Sequence, residues 1–321
     1  MSDPIKIKQL QATINSKDFL SISDFTKDQI MALIEAAITL KDLQKKGIPH
    51  QLLLGKTLAM IFEKSSTRTR VSFETGMFQL GGAAQFLSKD DLQLGNGETI
   101  GDTAQVLARY VDYIMIRTYG HDVVEEMAQY ASVPVINGLT DEAHPCQVLS
   151  DLITIYETFG KFDGLKFTYV GDGNNMINSL MIGCAIMGID CHIASPKGCE
   201  VSPSFVALAH EKAEESGAKI EVCHNPEEAV KDANIVYTDV WASMGWQGNL
   251  DERRELFQPY QVNDQLMAHA NPEAVFMHCL PAKRGEEVTN EVIDSSQSIV
   301  FDQAENRLHA QKAILCALTN E

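Results

Sequence analysis

The chain has 321 residues, 45% of them hydrophobic, and a formal charge of −18. That length is enough for two packed domains, and the acidity argues against nucleic acid or an anionic membrane as a partner. Seven cysteines, at 146, 184, 191, 199, 223, 279 and 316, form no C-x-x-C pair and are odd in number, which speaks against a disulfide framework or a structural zinc site.

In chain order, Met1-Ser2-Asp3-Pro4-Ile5-Lys6 lacks the apolar stretch of a signal peptide, and no run of about 18 apolar residues follows anywhere. The expectation is a soluble, cytoplasmic protein. Thr26 opens a helix signal with Gln29 in capping-box position. Ile30, Leu33, Ile34, Ala37 and Ile38 continue it at amphipathic spacing, and Gly47 marks the stop. From there strand-like and helix-like segments alternate. Strands are predicted at 57–62, 84–87, 113–116, 133–136, 166–170, 190–194, 219–222, 234–238, 275–278 and 298–301. Helical patterns fall at 103–110, 123–130, 146–159, 178–187, 205–215 and 304–318.

Such alternation predicts an α/β chain of two doubly wound domains, each a mainly parallel sheet flanked by helices. The boundary is expected near 145–162, where a helix ends at Gly160 and a new strand starts at Lys166. The expected domains are 1–147, with the C-terminal helix 303–321 packing back on it, and 148–302. An active site is then expected in the cleft between them, at the carboxyl ends of the strands.

Ser66-Thr67-Arg68-Thr69-Arg70 stands where strand 57–62 hands over to the helical pattern Val71, Phe73, Met77, Phe78 and Leu80. Free N–H groups and the positive end of the dipole make a helix N-terminus an anion site. Three hydroxyls and the fork of Arg68 would grip a phosphate from several sides. An ordinary capped first turn favours acids, and here two arginines stand instead.

Other polar residues follow predicted strands, where an α/β cleft would collect them. These are Arg117, the run His144-Pro145-Cys146-Gln147, Asp239 ahead of Trp241-Ala242-Ser243-Met244-Gly245, the run His278-Cys279-Leu280-Pro281, and Arg307. Arg68 and Arg117 suit a phosphate, and His144 with Gln147 suits a carbonyl or amide as charge develops on oxygen. Asp239 and Cys279 suit a cationic amine. A thiol beside arginines and a helix start would ionise more readily, whereas the ordinary fate of a free cysteine is burial as a small hydrophobe.

Nucleotide motifs fail on inspection. Gly171-Asp172-Gly173-Asn174-Asn175-Met176 lacks the third glycine of a dinucleotide fingerprint, and Gly55-Lys56-Thr57 has His50 in place of the first glycine of a P-loop. The Ser243 segment lacks the first glycine of a nucleophile elbow.

Ser66 to Arg70, His144 to Gln147 and His278 to Pro281 together resemble the three signatures of the carbamoyltransferases, in order, spacing and flanking strands. The resemblance runs over nearly the whole chain. The first two are shared by the aspartate and ornithine branches, while His-Cys-Leu-Pro and Asp239-x-x-x-Ser243-Met244-Gly245 look like the ornithine branch. What this implies is transfer of a carbamoyl group from carbamoyl phosphate to the δ-amine of ornithine. Ser66, Thr67, Arg68 and Thr69 would hold the phosphate with Arg117. His144 and Gln147 would hold the carbamoyl oxygen and nitrogen. Cys279, Leu280 and Arg307 would complete that pocket, and Gln93 would come from a neighbouring subunit. Asn175, Asp239, Ser243 and Met244 would bind ornithine, and Arg68, His144 and Cys279 would carry the catalysis. The resemblance also implies a homotrimer with sites at subunit interfaces, possible further assembly of trimers, and neither metal nor cofactor. Trp246 departs from the acidic or amide residue that the family places after Ser-Met-Gly. The segment 282–288 resembles putrescine carbamoyltransferases, so putrescine or another amine is the alternative acceptor.

Overall fold

Thr57–Phe62 buries five of its six residues, the mark of a strand covered on both faces. In the computed structural model, which describes residues 5–92, 97–243 and 247–318, this strand lies inside a sheet. The chain forms two compact units, Met1–Ile153 with Glu305–Glu321, and Thr154–Ala304.

The first unit opens with α1 (Ile5–Thr13) and α2 (Lys27–Lys45). Thr26 and Gln29 make the capping box, with Gln29 N–H donating to Thr26 Oγ1 at 3.3 Å and Thr26 N–H to Gln29 Oε1 at 3.0 Å. There follow β1 (Thr57–Phe62), α3 (Thr67–Gln79), β2 (Ala83–Ser88), α4 (Ile100–Leu107), β3 (Tyr113–Arg117), α5 (His121–Tyr130), β4 (Val135–Leu139) and α6 (Pro145–Phe159). The sheet order is β2-β1-β3-β4, parallel throughout. Phe19 bridges to Ile136 in parallel along β4, its carbonyl accepting from Asn137 N–H at 2.9 Å, and so covers part of an edge. Ala59, Ile61, Ile114 and Ile116 pack with Ala104, Val124 and Met127 as the core of this unit. Strand order reverses between β1 and β3, so the loops leaving those two strands flank the crevice where α/β sheets bind ligands.

The second unit runs β5 (Lys166–Val170), α7 (Asn175–Met187), β6 (Asp190–Ala194), α8 (Pro203–Ser216), β7 (Ile220–Cys223), α9 (Pro226–Val230), β8 (Ile235–Thr238), α10 (Leu250–Phe257), α11 (Asp264–Met267), β9 (Val275–His278) and α12 (Asn290–Ile293). Its order is β7-β6-β5-β8-β9, again parallel throughout. Every residue of α7 from Met176 to Met187 is buried. The order reverses between β5 and β8, which places the loops starting at Gly171 and Asp239 at the second crevice. Gly173 is required there, because a Cβ would meet the Glu200 carbonyl at 2.4 Å. The Gly-x-Gly of that turn therefore serves backbone packing.

One predicted strand is absent. Residues 298–301 make a single parallel bridge, Ser298 to Phe276, and then enter α13 (Val300–Ala317). The apolar run Ile299-Val300-Phe301 is too short for periodicity to tell strand from helix, and Phe301 is 71% exposed at the helix start. From Glu305 onward α13 belongs to the first unit, where Asn306 Oδ1 accepts from the buried Lys41 at 2.8 Å. Among the described residues no helix is long and apolar enough to cross a membrane.

Candidate active site

In the first unit Ser66 is the N-cap of α3, in extended conformation, and its Oγ accepts from Thr69 N–H at 3.2 Å. That cap points the first N–H groups of the helix outward over the carboxyl edge of β1, with Thr67 exposed and Arg68 half-buried. Arg70 takes no part, for it pairs with Glu74 at 3.0 Å and stacks 3.8 Å over the Phe86 ring. The Glu74 pair holds Arg70 along the helix face, as i,i+4 spacing predicts.

Arg117, 5% exposed, ends β3 and donates from Nε to the Lys64 carbonyl at 3.2 Å. Its position depends on a bulge. Ile116 pairs with Asn137 but Arg117 pairs with Leu139, so Gly138 is the extra residue. A Cβ at Gly138 would sit 2.5 Å from Met115 Sδ.

Arg307 lies inside α13 rather than after a strand. Its guanidinium donates to Gln147 Oε1 at 2.6 Å and to Thr69 Oγ1 at 3.2 Å, and Gln147 Nε2 donates to Asp151 at 2.8 Å. One buried cation thus fixes a hydroxyl at the start of α3 and the amide of Gln147, the last residue of its motif. His144 precedes α6, whose Pro145 occupies the first helical position, and its carbonyl accepts from Val148 N–H at 3.2 Å. Burial, and then the charges of Arg307, Arg117 and Arg68, hold the His144 imidazole well below its ordinary 6.5. It is therefore a neutral donor beside three cations, suited to polarising a carbonyl oxygen without offering a proton. Cys146 next to it is inert, pushed up to about 12 by burial.

In the second unit Asp239, 7% exposed, leaves β8 at the crevice. Its Oδ1 accepts from Val240 N–H at 2.8 Å and from Cys279 Sγ at 3.2 Å. Its Oδ2 accepts from Asn174 Nδ2 at 2.9 Å. The thiol of Cys279 thus has a carboxylate beside it. Ser243 is half-buried and Asn175 is the first residue of α7.

His278 ends β9 with no exposure. Its Nδ1 accepts from Leu280 N–H at 2.9 Å and its Nε2 meets Glu287 Oε1 at 3.1 Å, so the proton sits on Nε2. Glu287, equally buried, also accepts from Lys283 N–H at 2.6 Å. This pair holds Leu280 at a φ of +56°, a costly conformation for a branched residue, and so fixes where its carbonyl points. Asp239, His278 and Cys279 bring three ligand atoms within 4.8 Å of one another. A metal there would have to displace one of the two bonds of His278, because both ring nitrogens are engaged.

The structure therefore brings together Ser66, Thr69, Gln147 and Arg307, with Arg68 and Arg117 acting on His144, in one unit, and Asp239 with Cys279 in the other. Gln93, Met244 and Trp246 lie outside the described residues. Sequence pattern missed Asn174, Asp151 and Glu287. Asn174 was signalled, since Asn before an apolar helix is a cap, but its second bond spans 65 positions.

The family model described as aspartate/ornithine carbamoyltransferase, carbamoyl-P binding domain, matches residues 17–157, and the Asp/Orn binding domain model matches 163–318. The chain is 57% identical over 305 residues to the ornithine carbamoyltransferase of Anoxybacillus flavithermus, covering 95% of this chain and 97% of that one. It is 56% identical over 308 residues to that of Bacillus subtilis, with 96% and 95% covered. The solved ornithine carbamoyltransferase of Pyrococcus furiosus superposes with a TM-score of 0.91 at 57% identity, over 93% of this chain and 95% of that one.

Proposed function

Because the chain belongs to the aspartate/ornithine carbamoyltransferase family, we propose that it transfers the carbamoyl group of carbamoyl phosphate to the δ-amine of L-ornithine, giving L-citrulline and phosphate. The observation that carries the reading is the neutral His144 amid Arg68, Arg117 and Arg307. A phosphate needs the cations, and a carbonyl next to it needs an uncharged donor. The ornithine relatives, at 55–57% identity, support the acceptor.

In this reading the phosphate rests on the start of α3, held by Ser66, Thr67, Arg68 and Thr69 with Arg117 and Arg307. His144 donates to the carbamoyl oxygen. Gln147 takes the carbamoyl nitrogen on Oε1, sharing that oxygen with Arg307, and the Leu280 carbonyl takes it as well. Asp239 receives the α-ammonium group of ornithine, with Asn175, Ser243 and Met244 as its companions, and Cys279 stands by the reacting amine. The neutral δ-nitrogen attacks the carbamoyl carbon and an N–C bond forms. Negative charge then collects on the carbamoyl oxygen, opposite Arg68, Thr69 and His144. The C–O bond to phosphate breaks, phosphate leaves with the bonding pair, and the nitrogen passes its extra proton to that departing phosphate.

We also propose a homotrimer in which Gln93 completes a neighbour's site, and residence in the cytoplasm. Family membership supports the first, and the lack of any membrane-crossing helix among the described residues is compatible with the second. A citrulline assay offering ornithine, putrescine and lysine in parallel tests the acceptor. Turnover with ornithine is expected, and turnover with putrescine alone would overturn the reading. Light scattering after gel filtration tests the trimer.

A further inference from the structure

Arg253 lies in the first turn of α10 and reaches back to the crevice of the second unit. Its Nη2 stands 2.5 Å from Asp172 Oδ2, and the two side chains are only 10% and 16% exposed. Its Nε donates to the Trp241 carbonyl. Its guanidinium lies 4.6 Å over the Phe257 ring, against which Trp241 packs at 5.9 Å, and Nη1 approaches Cys199 Sγ at 3.8 Å. Asp172 precedes Asn174 by two residues in the β5–α7 turn, and Trp241 stands midway between Asp239 and Ser243. One planar fork therefore ties the loop that orients Asp239 to the loop that carries it.

The charges matter as much as the bonds. Burial pushes the Asp172 carboxyl up and the charge of Asp239 pushes the same way, while Arg253 is the cation that offsets both. Without it the crevice would present a second carboxylate where the acceptor binds. An amino acid brings its own carboxylate to that place, but a bare diamine does not.

We propose that Arg253 is a positioning residue of the acceptor site and that, by compensating Asp172, it sets the preference for an amine that also carries a carboxylate. This rests on the carbamoyl transfer proposed above. Three variants test it, Arg253→Gln, Asp172→Asn and the two combined. The readouts are the KM for ornithine, the KM for carbamoyl phosphate, and the inhibition constant of putrescine competing with ornithine. Arg253→Gln should raise the KM for ornithine about tenfold or more, the usual scale for losing a charged hydrogen-bonded partner. The same change should strengthen putrescine relative to ornithine by about tenfold and leave the KM for carbamoyl phosphate within about twofold. Adding Asp172→Asn should restore the original preference. A merely structural residue would shift both amines in proportion, and that outcome, or a combined variant with no restoration, overturns the proposal. Should Arg253→Gln fail to fold, Arg253→Lys decides. It keeps the charge and loses the fork, so the KM for ornithine should rise with the preference unchanged, and a changed preference would count against the proposal. A wild-type chain making no citrulline would sink the transfer reading itself, whereas wild-type turnover with unmoved preferences in the variants sinks only the role of Arg253.

Discussion

Asn174 donates from Nδ2 to Asp239 Oδ2 at 2.9 Å while its Oδ1 caps α7, accepting from Met176 N–H at 2.9 Å and Ile177 N–H at 3.3 Å. One side chain thus spends both ends of its amide, one on the helix and one on the acceptor carboxylate. Asn174→Ala should cost about 1 kcal/mol of stability through the lost cap and raise the KM for ornithine about tenfold through a loosened Asp239. Steady-state kinetics with each substrate varied in turn would check this. An unchanged KM for ornithine would show that Asp239 needs no such support.

Arg68 and Arg70 differ by two positions and face different ways, since Arg70 is occupied by Glu74 and the Phe86 ring. Arg68→Gly should therefore lower kcat by about a thousandfold or more, the scale of losing a donor at a developing oxyanion, with the circular dichroism spectrum unaltered. Near wild-type turnover in that variant would refute the proposed site.

Gly138 lets Arg117 sit one register step off its strand partner. Gly138→Ala forces a Cβ to within 2.5 Å of Met115 Sδ and 3.2 Å of the Ile116 carbonyl. A destabilisation of about 1–3 kcal/mol is expected from overpacking, together with a raised KM for carbamoyl phosphate as Arg117 shifts. Thermal melts and kinetics on the same preparation would measure both, and an unshifted melt would contradict the close packing.

Acid should weaken the first unit. His144 is held well below 6.5 by burial and three arginines, and His309 is pulled down to about 3 by burial and then by Lys312, Lys41 and Lys45. The unfolded chain binds these protons near pH 6.5 while the folded chain refuses them. Stability is therefore complete above that pH and falls below it, by up to about 1.4 kcal/mol per pH unit for each imidazole. Urea midpoints taken between pH 7.5 and 4.5 should decline, and less so in His309→Gln. A flat series would mean that both rings find a way to ionise in place.

Strand and helix placement was legible wherever the apolar pattern was long and bounded by turn residues. β1, β5, β6 and β9 have the bounds that the pattern predicts. The pattern misled at 298–301, where three apolar residues open a helix instead. The start of α3 was legible too, because a cap and its neighbouring hydroxyls occur side by side and act locally. A cap that lies 2.9 Å from its carboxylate partner but 65 positions away in sequence gives no such local sign.

Periodicity, caps and turn residues act over a few positions, and they were enough to establish two parallel α/β units and the motif residues at strand ends. Which side chains meet was decided by sheet order. Arg307 reaches Gln147 across 160 positions and Thr69 across 238, and Asp239 finds Cys279 across 40. Those pairings depend on where each crossover returns the chain, a consequence of burying helices against both sheet faces at once, and local pattern does not encode it. Ser66 to Thr69 could be read as an anion grip from composition alone, but the neutral imidazole facing it exists only because tertiary packing sets His144 among three guanidiniums and away from water.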